Sequence, residues 1–431
     1  MRTRRALALR ITLAVAAAGV LGLAHAGRAA AAACQTSGPV GGTYTATVCI
    51  TTPTDGSPVT GATTVAAGVS FTGSPPSGIQ RVIFYLDGQY LLTDYASPYT
   101  FVLPTDRFVD GSHLLEAEAL LRDGFRTARA GITLQFTNGV LTPPVNTKTF
   151  TPTSGTTPPA GQPTVVAAVG DGAGGEQSEA DVVRLINSWS PNLFLYLGDV
   201  YEKGSMAEFY NWYNPPSLFG GLRSITDPTI GNHEYENGVA PGYFDYWDNI
   251  PHYYSFNVGS WHIISLDSTG QFGEATPGTA QYDWLQSDLQ NNKLPCKLVY
   301  YHHPVYNIGQ EGYYSQFSQV WSLMAQFGVD LVLNGHDHTY QRYVPLDGNG
   351  NPAANGTTEI VDGTGGHAAG SFVTTDSRLA ASAMSFGALQ LTLNSGGAGY
   401  EFVTTAGSIL DSGSVACHAT TDTTAPSVPT N

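Results

Sequence analysis

Two histidines spaced i, i+2 occur in Asn334-Gly335-His336-Asp337-His338, directly after Asp330-Leu331-Val332-Leu333. The apolar residues read as a short buried strand, and imidazoles on the turn leaving it can face two adjacent metal ions. Four more clusters repeat the arrangement. Asp171 follows Val165-Val166-Ala167-Ala168-Val169, and Asp199 follows Leu193-Phe194-Leu195-Tyr196-Leu197. Asn232 and His233 lie in Gly231-Asn232-His233-Glu234, and His302-His303 follow Leu298-Val299-Tyr300-Tyr301. A lone aspartate after a strand is usually a turn former or helix cap. Recurrence at strand ends is what gives the set weight, because open α/β sheets bind ligands at the carboxyl ends of their strands.

The elements that must carry these residues alternate along residues 164–417. Between the strand candidates lie helical stretches at 178–189, 280–289 and 315–327, and from Thr358 onwards short alternating strands return with glycine turns. Residues 34–140 have another texture. Alternating segments such as Gln80-Arg81-Val82-Ile83-Phe84-Tyr85-Leu86, broken by Asp87-Gly88 and Asp110-Gly111, predict a β-sandwich. Residues 141–163 hold Pro143, Pro144, Pro152, Pro158, Pro159 and Pro163 among threonines, which predicts an extended, semi-rigid linker. Residues 418–431 form a second Thr/Pro-rich stretch, of the kind that precedes fibronectin type III modules.

Residues 1–33 carry five arginines, no acids and an apolar run from Ile11 to about Ala26, the pattern of a secretory signal of the Sec or twin-arginine type. No other run is long and apolar enough to span a bilayer. Without those residues 13 bases face 34 acids, a net charge of −21. Such a surface offers no basic groove for nucleic acid. Four cysteines suit an exported chain with two disulfides; Cys34–Cys49 and Cys296–Cys417 would each stay within one domain, among three possible connectivities.

Two resemblances follow. The strings Ile50-Thr51-Thr52-Pro53-Thr54-Asp55-Gly56-Ser57-Pro58-Val59, Phe84-Tyr85-Leu86-Asp87-Gly88 and Asp110-Gly111-Ser112-His113 resemble bacterial immunoglobulin-like domains. The ordered set Gly170-Asp171-Gly172, Gly198-Asp199, Gly231-Asn232-His233-Glu234, Val299 to His302 and Gly335-His336-Asp337-His338 resembles the calcineurin-like metallophosphoesterases. Thr339-Tyr340-Gln341-Arg342, Tyr282-Asp283-Trp284-Leu285 with Asp288-Leu289, and Gly363-Thr364-Gly365-Gly366 narrow it to the purple-acid-phosphatase-like branch. The resemblance implies a multidomain chain: an all-β immunoglobulin-like sandwich, then a four-layer α/β/β/α metallophosphoesterase.

It also implies two metal ions (iron, zinc or manganese), one held by Asp171, Asp199 and His338, the other by Asp199, Asn232, His302 and His336. Asp199 would bridge, since a carboxylate offers two hard oxygens and a neutral imidazole one free nitrogen lone pair. A metal pair acidifies water and binds phosphoryl oxygens, so the implied reaction is attack of a metal-bound hydroxide on a phosphomonoester, with His233 at the leaving oxygen. A phosphodiesterase or nucleotidase, or a catalytically weak cell-surface binding protein, are the alternatives. His303 and His367 are candidates for touching substrate. The module is expected to attach the enzyme to a surface or polymer without building its site.

Two departures from the family pattern stand out. Ala173 replaces a histidine two residues after Asp171, and Glu202 stands three residues after Asp199 where the purple phosphatases have tyrosine. Tyr201 is one residue early, and on an extended segment its side chain would point away. Tyr201, Glu202 or water then completes the first metal, which predicts a colourless enzyme.

Overall fold

The computed structural model describes residues 33–75, 78–159 and 161–418. The proposed signal and nearly all of the C-terminal Thr/Pro stretch lie outside the described residues. The first fold unit is a sandwich of two antiparallel-dominated sheets. One has four strands, in the order Cys34–Ser37, Tyr44–Thr52, Ala62–Gly73, Tyr99–Pro104. The other has five, in the order Pro58–Val59, Ala130–Phe136, Gly111–Leu121, Ile79–Leu86, Gln89–Asp94. Alternation explains the packing: Tyr44, Ala46, Val48 and Ile50 turn inward while the residues between them are more exposed. The bridge Cys34–Cys49 joins neighbouring strands. His113 sits within a strand and pairs with Asp87 at 2.7 Å, not in a turn.

The second unit stacks two sheets. Thr164–Val169 and Leu193–Tyr196 pair in parallel in a five-stranded sheet completed by Gly387–Asn394, Gly397–Thr404 and Ile409–Ala416. The seven-stranded partner holds Trp261–Ser265, Cys296–Tyr300, Leu331–Asn334 and Thr358–Asp362 as parallel neighbours. Their runs are apolar on both faces because both faces are covered. Val166, Leu195, Leu389 and Phe402 meet Ile263, Leu298 and Leu331 between the sheets. Helix Gln177–Ser188 buries Val182, Val183 and Ile186 on one outer face. Helices Ala280–Asn291 and Ser318–Gln326 cover the other, with Leu285, Val320 and Trp321 against Val299 and Val332. These are the four expected layers. Cys296–Cys417 ties the end of the last strand to the second sheet across 121 residues, a loop length worth about 4–5 kcal/mol on chain entropy.

The linker is not a free spacer. Thr153 and Ser154 donate backbone N–H groups to the buried Asp227 carboxylate at 2.7 and 3.1 Å, and Phe150 packs on Tyr254 with ring centroids 5.1 Å apart. Nor does the module stand apart. Ala207 of the second unit lies in the module's own core, with Trp212 packed against it. The Asn211 amide accepts from Val102 N–H at 2.8 Å and donates to Val102 carbonyl oxygen at 2.9 Å, taking the place of a neighbouring strand.

Candidate metal centre

Each cluster predicted at a strand end is carried to one place. Asp171 follows Thr164–Val169, Asp199 follows Leu193–Tyr196, and His336 follows Leu331–Asn334; all three have positive φ, at 62°, 68° and 71°. Left-handed backbone at three non-glycine residues is strain kept where side chains must be aimed. Their neighbours are small because the approach is close. A Cβ on Gly231 would lie 2.1 Å from Asp199 Oδ1, and one on Gly335 2.6 Å from Asp171 Oδ2.

His302 donates from Nδ1 to the Leu197 carbonyl at 2.8 Å, which leaves Nε2 facing Asp199 Oδ2 and Asn232 Oδ1, each at 3.1 Å. Donor atoms of Asp199, His302 and His336 lie within 4.8 Å of one another. On the other side, His338 Nε2 is 3.6 Å from Asp171 Oδ1. His233 anchors its backbone N–H on Asp199 Oδ1 at 2.9 Å and its Nδ1 on the Glu202 carbonyl at 2.7 Å. A carbonyl carries no proton, so Nδ1 is the donor, and Nε2 lies 3.9 Å from Asp199 Oδ2 on a side chain that stays partly exposed.

The expected direction of Tyr201 is corrected. Its hydroxyl meets Asp171 Oδ1 at 2.8 Å, His338 Nε2 at 2.9 Å and Asp199 Oδ2 at 3.2 Å. Residues 201–203 form a turn entered from left-handed Asp199, so strand alternation does not apply. Glu202, expected near the metal, turns instead to the Tyr95 hydroxyl and to His367 Nε2 at 3.2 Å. His367 is not free to touch substrate: Glu176 takes its Nδ1 at 2.8 Å, and its ring stacks on Tyr201 at 3.8 Å. His303 lies 4.3 Å from the His336 ring, with Nδ1 on Ser268 Oγ at 3.0 Å. His262 is a satisfied core residue, paired with Asp288 at 2.6 Å.

Sequence reasoning missed Glu234. It is buried and accepts N–H groups of Gly231 and Val200 at 2.9 and 2.8 Å, tying the Asn232 turn to the Asp199 turn. Its place three residues after Gly231, where a glutamate can reach back to the backbone N–H that opens a short helix, was the available signal. Glu311 also escaped; its carboxylate is 3.8 Å from His336 Nε2.

Electrostatics agree with the geometry. Asp171 and Asp199 are buried, and among the described residues their ion-pair partners are histidines alone. Burial raises the Asp171 carboxyl, opposed by the charge of His302. For His302 burial works downward, but Asp199 prevails and lifts it to about 10. Burial beside His302 drives His336 down to about 3, leaving a neutral imidazole with a lone pair to give. Burial lifts the Tyr201 phenol well above its usual range, with Asp171 and Asp199 adding to it. One phenolic proton cannot serve the three groups around that oxygen. Two carboxylates, three imidazoles, an amide oxygen and a phenol around one point fit metal cations.

Comparison with known proteins agrees. Residues 164–340 match the calcineurin-like phosphoesterase family and residues 47–117 the bacterial Ig domain. The chain is 28% identical over 220 residues to probable purple acid phosphatase 20 of Arabidopsis thaliana, covering 43% of this chain and 48% of the relative. To purple acid phosphatase 21 of the same plant it is 30% identical, covering 44% and 47%. The chain thus spans about half the length of these curated relatives. A purple acid phosphatase from yellow lupin (Lupinus luteus) seeds superposes with a TM-score of 0.51 at 14% identity, covering 89% of this chain and 83% of that one, which shows a shared fold. By motif, fold and sequence match together, residues 164–340 form a calcineurin-like phosphoesterase domain similar to the purple acid phosphatases, preceded by a bacterial immunoglobulin-like domain.

Proposed function

We propose that this protein is an exported, two-metal phosphatase that hydrolyses phosphomonoesters. The observation that carries the reading is the convergence of Asp171, Asp199, Asn232, His302, His336 and His338 on one cluster around two buried carboxylates, with no lysine or arginine ion-paired to those carboxylates among the described residues. Asp171, His338 and Tyr201 would hold one ion, Asn232, His302 and His336 the other, with Asp199 between them. When bound, such a pair supplies Lewis acidity toward phosphoryl oxygens and a water acidic enough to react near neutral pH.

The chain's own residues do the rest. The Leu197 carbonyl fixes the His302 tautomer, and the Asp171 carboxylate holds the His336 turn through its backbone N–H at 2.8 Å. Burial against the two sheets keeps bulk water from the carboxylates. His233 Nε2 lies beside Asp199, and the Asp199 charge outweighs burial to raise its pKa, so it can hold a proton for the leaving oxygen. The Tyr201 oxygen among hard donors suits iron(III) as phenolate, which replaces the expectation of a colourless enzyme. Two disulfides fit an oxidising compartment outside the cytoplasm.

The test is hydrolysis of a generic aryl phosphomonoester and the matching diester by metal-loaded protein, before and after chelation. Faster turnover of the monoester, lost with the metal and restored on reloading, supports the proposal. Preference for the diester moves the reading to a phosphodiesterase, and no turnover of either overturns it.

A further inference from the structure

The turn that carries Tyr201 and Glu202 is gripped from outside its own domain. Strand Gln89–Asp94 of the immunoglobulin-like module and the residue after it supply three contacts. Tyr95 donates its hydroxyl to the Glu202 carboxylate, and Arg81 Nη1 donates to the Tyr95 oxygen at 2.8 Å. Tyr90 donates to the buried Glu208 carboxylate, which in turn accepts the backbone N–H groups of Glu202 at 2.5 Å, Lys203 at 3.0 Å and Ser205 at 2.9 Å. The Leu91 carbonyl accepts from the Ser205 hydroxyl. The loop that presents Tyr95 is itself tied, with Asp94 accepting Ala96 and Thr100 N–H groups, both at 3.0 Å.

What is gripped bears directly on the cluster. The Glu202 carbonyl orients His233, and its carboxylate faces His367. The His367 ring stacks on Tyr201, and the Tyr95 ring stands edge-on to His367 at 5.6 Å. A continuous path of hydrogen bonds and ring contacts therefore runs from Arg81 in the module to Tyr201 and His233 in the cluster. We propose that the immunoglobulin-like module is a working part of the active site: Tyr90 and Tyr95 are positioning residues that hold the 201–208 turn, and through it Tyr201 and His233, in their productive orientation. This rests on the phosphatase reading for its kinetic arm alone.

The experiment uses the full chain carrying Tyr90→Phe and Tyr95→Phe together, with Tyr44→Phe as a control. Tyr44 bonds Asp123 within the module, so its loss tests mere damage to the sandwich. Amide hydrogen exchange by mass spectrometry reads the 201–208 segment, and steady-state kinetics on an aryl phosphate reads the site. We expect exchange in that segment to rise at least tenfold while the remaining strands of the module stay protected. We expect kcat to fall by roughly 10–100-fold with KM within a factor of about two, as for misplacement of groups acting on the transition state. The control should match the parent protein. Unchanged exchange in 201–208 overturns the proposal, as does a loosened segment with full kcat, or a loss carried in KM alone. Should the double variant fail to fold, Tyr95→Phe by itself, which removes one oxygen, is read by the same criteria. Failure of the phosphatase reading would show separately, as absent turnover in the parent protein, and leaves the exchange result standing.

Discussion

His302 and Tyr201 face the same pair of carboxylates but owe their positions to different parts of the chain. His302 leaves the parallel strand Cys296–Tyr300 and is fixed by the Leu197 carbonyl, so the stacked sheets alone aim it. Tyr201 sits on a turn that lacks strand pairing beyond the bridge at Val200, and its neighbours are held by Tyr90 and Tyr95 of another domain. A sheet positions a ligand by backbone geometry, which tolerates change at distant side chains. A turn braced across a domain boundary depends on individual hydroxyl groups, and should be the softer half of the site.

The largest effect that sharpens this contrast is expected at His233, which is anchored to both halves through Asp199 and the Glu202 carbonyl. His233→Ala should lower turnover by about 10²–10⁴-fold, the range for a lost general acid. The loss should shrink with leaving groups that need no protonation; equal losses across a leaving-group series would assign His233 to charge stabilisation instead. Next is Tyr201→Phe. The metal-loaded protein should absorb in the visible, and this variant should lose that band together with roughly 10–100-fold of activity, as for groups supporting a metal site. A parent protein without the band, or a variant that keeps it, would remove Tyr201 from the ion.

Smaller still is a pH effect on the brace itself. Burial raises the Glu208 carboxyl from its ordinary 4.5 to about 7, against the opposing hydrogen bond from Tyr90. Between those values the folded chain keeps a proton that the unfolded chain has released. This contribution to stability is therefore full below pH 4.5 and lost as pH rises through 7. Glu208→Gln cannot titrate, and should flatten the dependence of Tm on pH across that interval even if it lowers Tm throughout. A slope identical to that of the parent would show that Glu208 does not titrate there.

The softer half is also the half the sequence conveyed least. Candidate ligands at strand ends announce themselves because an apolar run, a glycine and a donor residue are local signals, and the clustering of Asp171, Asp199, His302 and His336 was legible in that way. The two β-rich and α/β units, and the partners in both disulfides, were legible from texture and spacing. Tyr201 was misjudged because its direction depends on a left-handed Asp199, and no local residue pattern reports that φ. Glu202 is expected at the first metal and His367 at the substrate because their partners, Tyr95 and Glu176, are far away in the chain. The brace of Tyr90 on Glu208 joins residues 118 apart, and the linker prolines suggested separation between units that are in contact.

The central claim is that Asp199 joins two ions into one site, and it is tested most directly by counting metal. Chelated protein reloaded with metal and freed of excess should hold two ions per chain by elemental analysis, and Asp199→Asn should hold one or none while hydrogen exchange of the module and its 201–208 brace stays unchanged. Two ions retained by Asp199→Asn, or a single ion in the parent protein, would contradict the account.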